Sequence, residues 1–262
     1  MKVIILAGGF GTRLSEKTTQ LPKSMVEIGD KPILWHIMHH YSLYNFSEFV
    51  IALGFLGDVI KSYFLNYYAL SHDLTIDLQN NITKIHEKTI PPWKIHLIDT
   101  GLHTQTGGRL KRLKEWIGCE TFMMTYGDGL SNVNLHELLA FHKSHKKLAT
   151  VTAVHPPPRF GGLDLENDTV TLFSEKPQKD WINGGFFVLE PEVLNFIADD
   201  STMWEKDPLE TLAKQKELLA FKHSGFWHPM DTLRDHRTLE ALWHTQKAPW
   251  LTKDLNDCLL EK

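Results

Sequence analysis

Short unbroken apolar runs alternate along this chain with longer stretches in which apolar residues recur every three or four positions. Val3-Ile4-Ile5-Leu6-Ala7 is rich in β-branched residues and bounded by Gly8-Gly9, the pattern of a strand buried on both faces of a parallel sheet. Ile33, Leu34, Ile37, Met38 and Tyr41 follow at helical spacing and predict a helix over about 31–44, with Asp30 as its N-cap and Pro32 in its first turn. Residues 49–53 form a second buried run, and a helix is expected over about 57–67. Strand, helix, strand in this order predicts βαβ crossovers.

Between 73 and 100 the rhythm changes. Leu74, Ile76 and Leu78, then Ile95, Leu97 and Ile98, predict strands with no helix between them. A helix over about 107–117, a strand over 121–125, a helix near 135–146 and a strand over 149–154 resume the alternation. Beyond Pro156-Pro157-Pro158, residues 163–173 read as a hairpin turning at Asn167-Asp168, 182–189 as a strand, and two or three helices close the chain. With no internal repeat, low-complexity tract or linker, the expectation is one α/β domain with a mixed, mostly parallel central sheet flanked by helices.

Composition narrows the function classes. The 262 residues carry 28 Lys+Arg against 32 Asp+Glu, a formal charge of −4, which lacks the basic excess needed to coat a nucleic acid. Cys119 and Cys258 fit neither a zinc spacing nor a disulfide framework and suggest a reducing compartment. The opening Met1-Lys2 mimics a signal peptide, but the apolar run behind it ends at Gly8. No stretch approaches the roughly 20 apolar residues of a membrane span. A cytoplasmic protein without a membrane partner is expected.

Candidate chemistry sits where strands end. Gly8-Gly9-Phe10-Gly11-Thr12-Arg13-Leu14 follows the first strand, and glycines there let backbone N–H groups approach an anion. The dinucleotide fingerprint fails because Leu14 replaces its third glycine, and no Gly-Lys-Ser/Thr completes a P-loop. Two cations, Arg13 and Lys23, accompany the loop and suit a polyphosphate. Gly127-Asp128-Gly129 ends another strand, so Asp128 is either a metal ligand or an ordinary turn residue. Asp231 opens a helix and reads either as its N-cap or as a second carboxylate for magnesium. Lys176 before Pro177 is extended and suits a second phosphate, while Glu175 and Asn183 offer polar groups of the kind that grip sugar hydroxyls. His142 and His145, like His39-His40, lack a third ligand at a metal spacing and are expected solvated or packed; Trp204, Trp227, Trp243 and Trp250 are expected in the core or a subunit interface.

These motifs, in this order, resemble those of the sugar-phosphate nucleotidyltransferases, the NDP-sugar pyrophosphorylases. The likeness covers about residues 1–250 and leaves 251–262 as a tail. Lys31-Pro32-Ile33-Leu34-Trp35-His36, Thr106-Gly107-Gly108-Arg109 and Pro229-Met230-Asp231-Thr232 look most like the cytidylyltransferases of that family. Leu21 stands where those enzymes usually carry a first lysine and Ser24 where they carry a proline.

The resemblance implies a Rossmann-like nucleotidyltransferase domain that transfers a cytidylyl group from CTP to α-D-glucose 1-phosphate, giving CDP-glucose and pyrophosphate. Another sugar 1-phosphate, or UTP or dTTP, is the alternative, and a catalytically silent nucleotide-sugar-binding subunit is a further one. By the same resemblance Arg13 and Lys23 are catalytic. Leu6, Ala7, Gly8, Gly9, Gly11, Thr12, Thr104, Arg109 and Gly127 join them in holding nucleotide. Asp128 and Asp231 ligate Mg2+, and Glu175, Lys176, Asn183 and Gly184 hold the sugar phosphate. It also implies a homo-oligomer, a hexamer.

Overall fold

The computed structural model describes residues 1–11, 21–86, 90–157, 162–174 and 180–252. A mixed eight-stranded sheet forms its centre. β1 (Lys2–Leu6) lies between two parallel neighbours, β4 (Glu48–Leu53) and β8 (Phe122–Tyr126), and β7 (Lys94–Asp99) extends the sheet beyond β4, again in parallel. On the far side of β8 lies antiparallel β14 (Phe187–Leu189), which pairs with one end of β10 (Ala149–Val154). β13 (Ile182–Asn183) pairs with the other end of β10, and β15 (Leu218–His223) runs parallel to β10. The strand expected over 182–189 is therefore interrupted. Gly184, Gly185 and Phe186 form the break, the last two at φ 74° and 49°.

Alternation along β1 explains why Val3–Leu6 carries no polar position. Val3 and Ile5 join a buried cluster with residues of α1 (Ile33–Leu43), α2 (Gly57–Leu70), α5 (Leu135–His145) and α7 (Leu233–His244). Ile4 and Leu6 join a second cluster with α3 (Thr106–Arg112), α4 (Lys114–Ile117) and α6 (Asp207–Lys214). Each face of the sheet is thus covered by helices, as a parallel sheet requires. Trp204 and Trp250 are fully buried, one in each cluster.

Several boundaries differ from expectation. α1 begins at Ile33 because Lys31-Pro32 (β3) pairs back on Glu27-Ile28 (β2). The helix expected over 107–117 breaks at Leu113 into α3 and α4. The C-terminal third contains β15 and β16 (Trp227–Pro229) as well as helices. Two hairpins stand as separate two-stranded sheets: β5 (Asp73–Asp77) with β6 (Ile82–His86), and β11 (Gly162–Glu166) with β12 (Thr169–Ser174), the latter turning at Asn167 as expected. No helix among the described residues is long and apolar enough to cross a membrane.

The strand order locates a crevice. From β1 the chain builds outward through β4 to β7, then returns to place β8 on the opposite side of β1. In open α/β sheets ligands bind beyond the carboxyl ends of the strands at such a reversal.

Candidate active site

The segment after β1 is held between its two neighbours. Ala7 N–H donates to Ala52 O, Phe55 N–H to Gly8 O and Gly127 N–H to Leu6 O, at 3.0–3.2 Å. A side chain on Gly8 would run into the Arg109 guanidinium and come within 2.9 Å of Gly54 N, so this close packing admits only glycine. Gly9 faces open space, and Phe10 is exposed against the Phe55 ring, 5.3 Å between centroids. Thr12 and Arg13 lie outside the described residues.

Arg109 has a specific place in this wall. Its guanidinium, 4% exposed, donates to Gly8 O, Leu53 O, Thr100 Oγ1, Gly101 O and Leu102 O. It therefore joins the glycine loop to the loop after β7, which also carries the buried Thr104. Desolvation lowers its pKa from the ordinary arginine value, a shift that leaves it charged at neutral pH.

At the reversal itself one ammonium bridges two carboxylates. Pro22 starts a 3-10 turn over Lys23–Met25, closed by Met25 N–H donating to Pro22 O at 2.8 Å and anchored by buried Ser24 and Met25. Asp128 lies between β8 and β9 (Gly129–Ser131), and β9 pairs with β16 so that Pro229 faces Gly129. Met230 N–H donates to Asp128 O at 2.8 Å, which brings Asp231 beside Asp128 across more than a hundred residues of chain. Lys23 Nζ lies 2.7 Å from Asp128 Oδ2 and 2.6 Å from Asp231 Oδ1, with side-chain exposures of 13%, 35% and 23%. Burial works against the lysine charge and the carboxylates work for it; the balance raises its pKa above the ordinary value.

The N-cap reading of Asp231 is corrected here. Thr232 caps α7, its hydroxyl accepting from Asp235 N–H while the Asp235 carboxylate accepts from Thr232 N–H. Asp235 also accepts from Asp231 N–H, so the box fixes the backbone of Asp231 and leaves its carboxylate facing Lys23. Further along α7, His236 Nε2 donates to Glu27 O and Glu240 accepts from Gly29 N–H. One helix therefore positions Asp231 at its start and, along its length, the hairpin that follows Lys23.

Two carboxylates that share one cation fit a divalent metal. Among the described residues no group of three or more His, Cys, Asp or Glu side chains could hold one. The pair is instead the partial set that magnesium takes, completed by water and phosphate oxygens. His142, bonded to Thr150 and Glu190, His145, bonded to Thr150, and His40, bonded to Val133 O, are packed as expected.

Asn183 ends β13 and Gly184 opens the break before β14. Asn183 Oδ1 accepts from Gly185 N–H at 2.8 Å, and a Cβ on Gly184 would lie 2.7 Å from Val154. Sequence reasoning assigned none of four neighbours to the site: Tyr126, Thr106, Glu205, and Trp227, which it expected in the core or a subunit interface. Trp227 Nε1 donates to Gly184 O, Tyr126 O–H donates to Glu205, and Thr106 O–H donates to the other oxygen of Glu205. Asn183 Nδ2 reaches the Tyr126 hydroxyl at 3.4 Å. Tyr126 alone had a local signal, preceding Gly127-Asp128 at a strand end. Glu175 and Lys176 lie outside the described residues.

Comparison with known proteins gives the chain its relatives. A glucose-1-phosphate cytidylyltransferase from Salmonella typhi is 53% identical over 255 residues, covering 96% of this chain and 99% of the relative, and its counterpart from Salmonella typhimurium is equally similar. The crystal structure of a UDP-glucose pyrophosphorylase complexed with UDP-glucose superposes with a TM-score of 0.68 at 17% identity, covering 94% of this chain and 98% of that one, a likeness of fold. The nucleotidyl transferase family model matches residues 2–246, a span that contains the glycine loop, the lysine and both carboxylates, and the chain belongs to that family.

Proposed function

We propose that this chain transfers the cytidylyl group of CTP to α-D-glucose 1-phosphate, releasing pyrophosphate and forming CDP-glucose. The observation that carries the reading is the convergence of Lys23, Asp128 and Asp231 beside the glycine loop, in a chain 53% identical to a glucose-1-phosphate cytidylyltransferase. A sugar-phosphate oxygen attacks the α-phosphorus in line; the new P–O bond forms as the bond to pyrophosphate breaks. Such a transfer asks the protein for positioning and charge neutralisation rather than a covalent nucleophile.

The residues divide that work. Leu6, Ala7, Gly8, Gly9, Gly11 and Thr12 line the nucleotide with backbone, Gly127 and Thr104 border it, and Arg109 shapes the two loops from behind. Arg13 and Lys23 hold the triphosphate and the charge that develops on it. Asp128 and Asp231 would hold a divalent cation, magnesium, which would supply positive charge to offset that of the phosphates. Lys176 takes the phosphate of the acceptor, and Glu175, Asn183 and Gly184 take its sugar. Removing one such cation costs on the order of 2–4 kcal/mol of barrier lowering, by analogy with oxyanion-site deletions. The enzyme works in the cytoplasm, where CTP is available.

Self-association belongs to the same reading. Ile76, Leu78 and Ile82 on one hairpin and Leu163, Leu165 and Phe173 on the other are 53–89% exposed, and isolated two-stranded hairpins are marginal in water, so a homo-oligomer, a hexamer, would cover them.

The test pairs each of CTP, UTP, dTTP, ATP and GTP with glucose 1-phosphate and Mg2+ and reads released pyrophosphate. CTP is expected to support the highest kcat/KM. Preference for another triphosphate would overturn the donor assignment, and silence with every pair would point to a binding subunit.

A further inference from the structure

The crevice raises an electrostatic question that the transfer reaction leaves open. Lys23 Nζ occupies the place between Asp128 Oδ2 and Asp231 Oδ1 that a shared divalent cation would also claim. Two carboxylates this close repel strongly without a cation between them, and burial strengthens that repulsion. The ammonium satisfies both through charge-assisted bonds of 2.7 and 2.6 Å. A bare metal ion would have to evict it, and magnesium gives up water reluctantly for a site with so few protein ligands.

We propose that Lys23 is the resident counter-ion of this carboxylate pair, and that divalent metal and triphosphate load together by exchange of partners. This rests on the reading of Asp128 and Asp231 as the metal ligands. Lys23 releases the carboxylates only when phosphate oxygens offer its ammonium an equivalent anionic partner. The carboxylates are then free to hold the metal that accompanies the nucleotide. One lysine thereby closes the site to free metal and opens it to the metal–nucleotide pair. No bond is made or broken in this step.

The arrangement gives Lys23 opposite effects on two equilibria, which a salt bridge that merely ties loops together does not. Metal binding to nucleotide-free enzyme is measured with Mn2+, following the free ion by electron paramagnetic resonance, in wild type and in Lys23→Met. Lys23→Gln is run alongside, and circular dichroism checks that each is folded. The charge-free variants are expected to bind Mn2+ at least about tenfold more tightly than wild type, and Asp128→Asn in the Lys23→Met background is expected to abolish the gain. Folded variants whose affinity equals or falls below that of wild type would overturn the proposal. In parallel, equilibrium dialysis of labelled CTP against wild type and Asp128→Asn, with and without Mg2+, tests the underlying assignment. Mg2+ is expected to raise CTP affinity in wild type and not in Asp128→Asn. If the variant responds to Mg2+ as wild type does, the metal-ligand reading itself fails, whatever the lysine variants do.

Discussion

At Arg109 five acceptors from three segments converge on a single guanidinium, so the side chain works as an internal brace between the glycine loop, the end of β4 and the loop after β7. Arg109→Met keeps the aliphatic stem but takes the guanidinium donor from the Gly101 and Leu102 carbonyls and one donor from Gly8 O and Leu53 O, which keep Phe55 N–H and Thr100 N–H, at a cost of about 1–3 kcal/mol for each group left unsatisfied. A loss of at least about 3 kcal/mol in urea unfolding is expected, with a raised KM for CTP as the loops separate. His36 and His40 act at the same scale. Trp250 Nε1 donates to His36 Nδ1, so His36 carries its proton on Nε2 and donates to Ile28 O. Burial lowers the pKa of both histidines from 6.5 to about 4, so each is neutral in the fold. As pH falls from 6.5 towards 4 the unfolded chain takes up protons that the fold refuses. Stability should therefore decline across that window by up to about 3 kcal/mol per histidine, and these two should add nothing further below it. Denaturant midpoints at pH 7, 5.5 and 4.5 follow the decline, and a matching loss in His36→Gln would show that His36 is not its source.

Among the elements, α7 carries the most consequence for the site, because its capping box fixes Asp231 and its next turns hold the hairpin behind Lys23. Thr232→Ala should lower stability by about 1 kcal/mol, the ordinary value of an N-cap. Its kcat should fall further than this small loss of stability explains, since the Asp235 carboxylate that holds Asp231 N–H loses its hydroxyl partner; unchanged turnover in a folded variant would detach the cap from the site. The same region shows where sequence reading stops. The strands of the central sheet from β1 to β10 and the long helices between them were legible because their apolar spacing is regular and both faces of the sheet are covered, whereas the short β2, β3 and β9 carry no such spacing. Asp231 was ambiguous because Thr232 beside it is an equally good cap, and only the β9–β16 pairing decides between them. The break at 184–186 escaped notice because Phe186 sits at a positive φ that a bulky residue seldom adopts. Glu205 and Trp227 reach the crevice from distant segments, through partners that no local spacing encodes.

For the molecule as a whole, the two apolar clusters back a sheet whose ligand-facing end is built from loops, while the exposed apolar hairpins stand apart from both. Light scattering at micromolar protein should give a multiple of the 30.2 kDa chain mass, six for the expected hexamer, and a mass near one chain would remove the oligomer from the reading. A charge introduced at the tip, for example Leu78→Glu, should shift the mass downward if that hairpin is the contact. The interrupted strand has a consequence of another kind. On the proposed assignment the glycine loop and Asp128 follow strands of the parallel half of the sheet, whereas Asn183 ends β13 and Gly184 opens the three-residue gap behind it, in the antiparallel half. Acceptor choice would then drift through small changes in one notch while the machinery for transfer stays intact, and a lineage built on this plan would change sugars without rebuilding its chemistry.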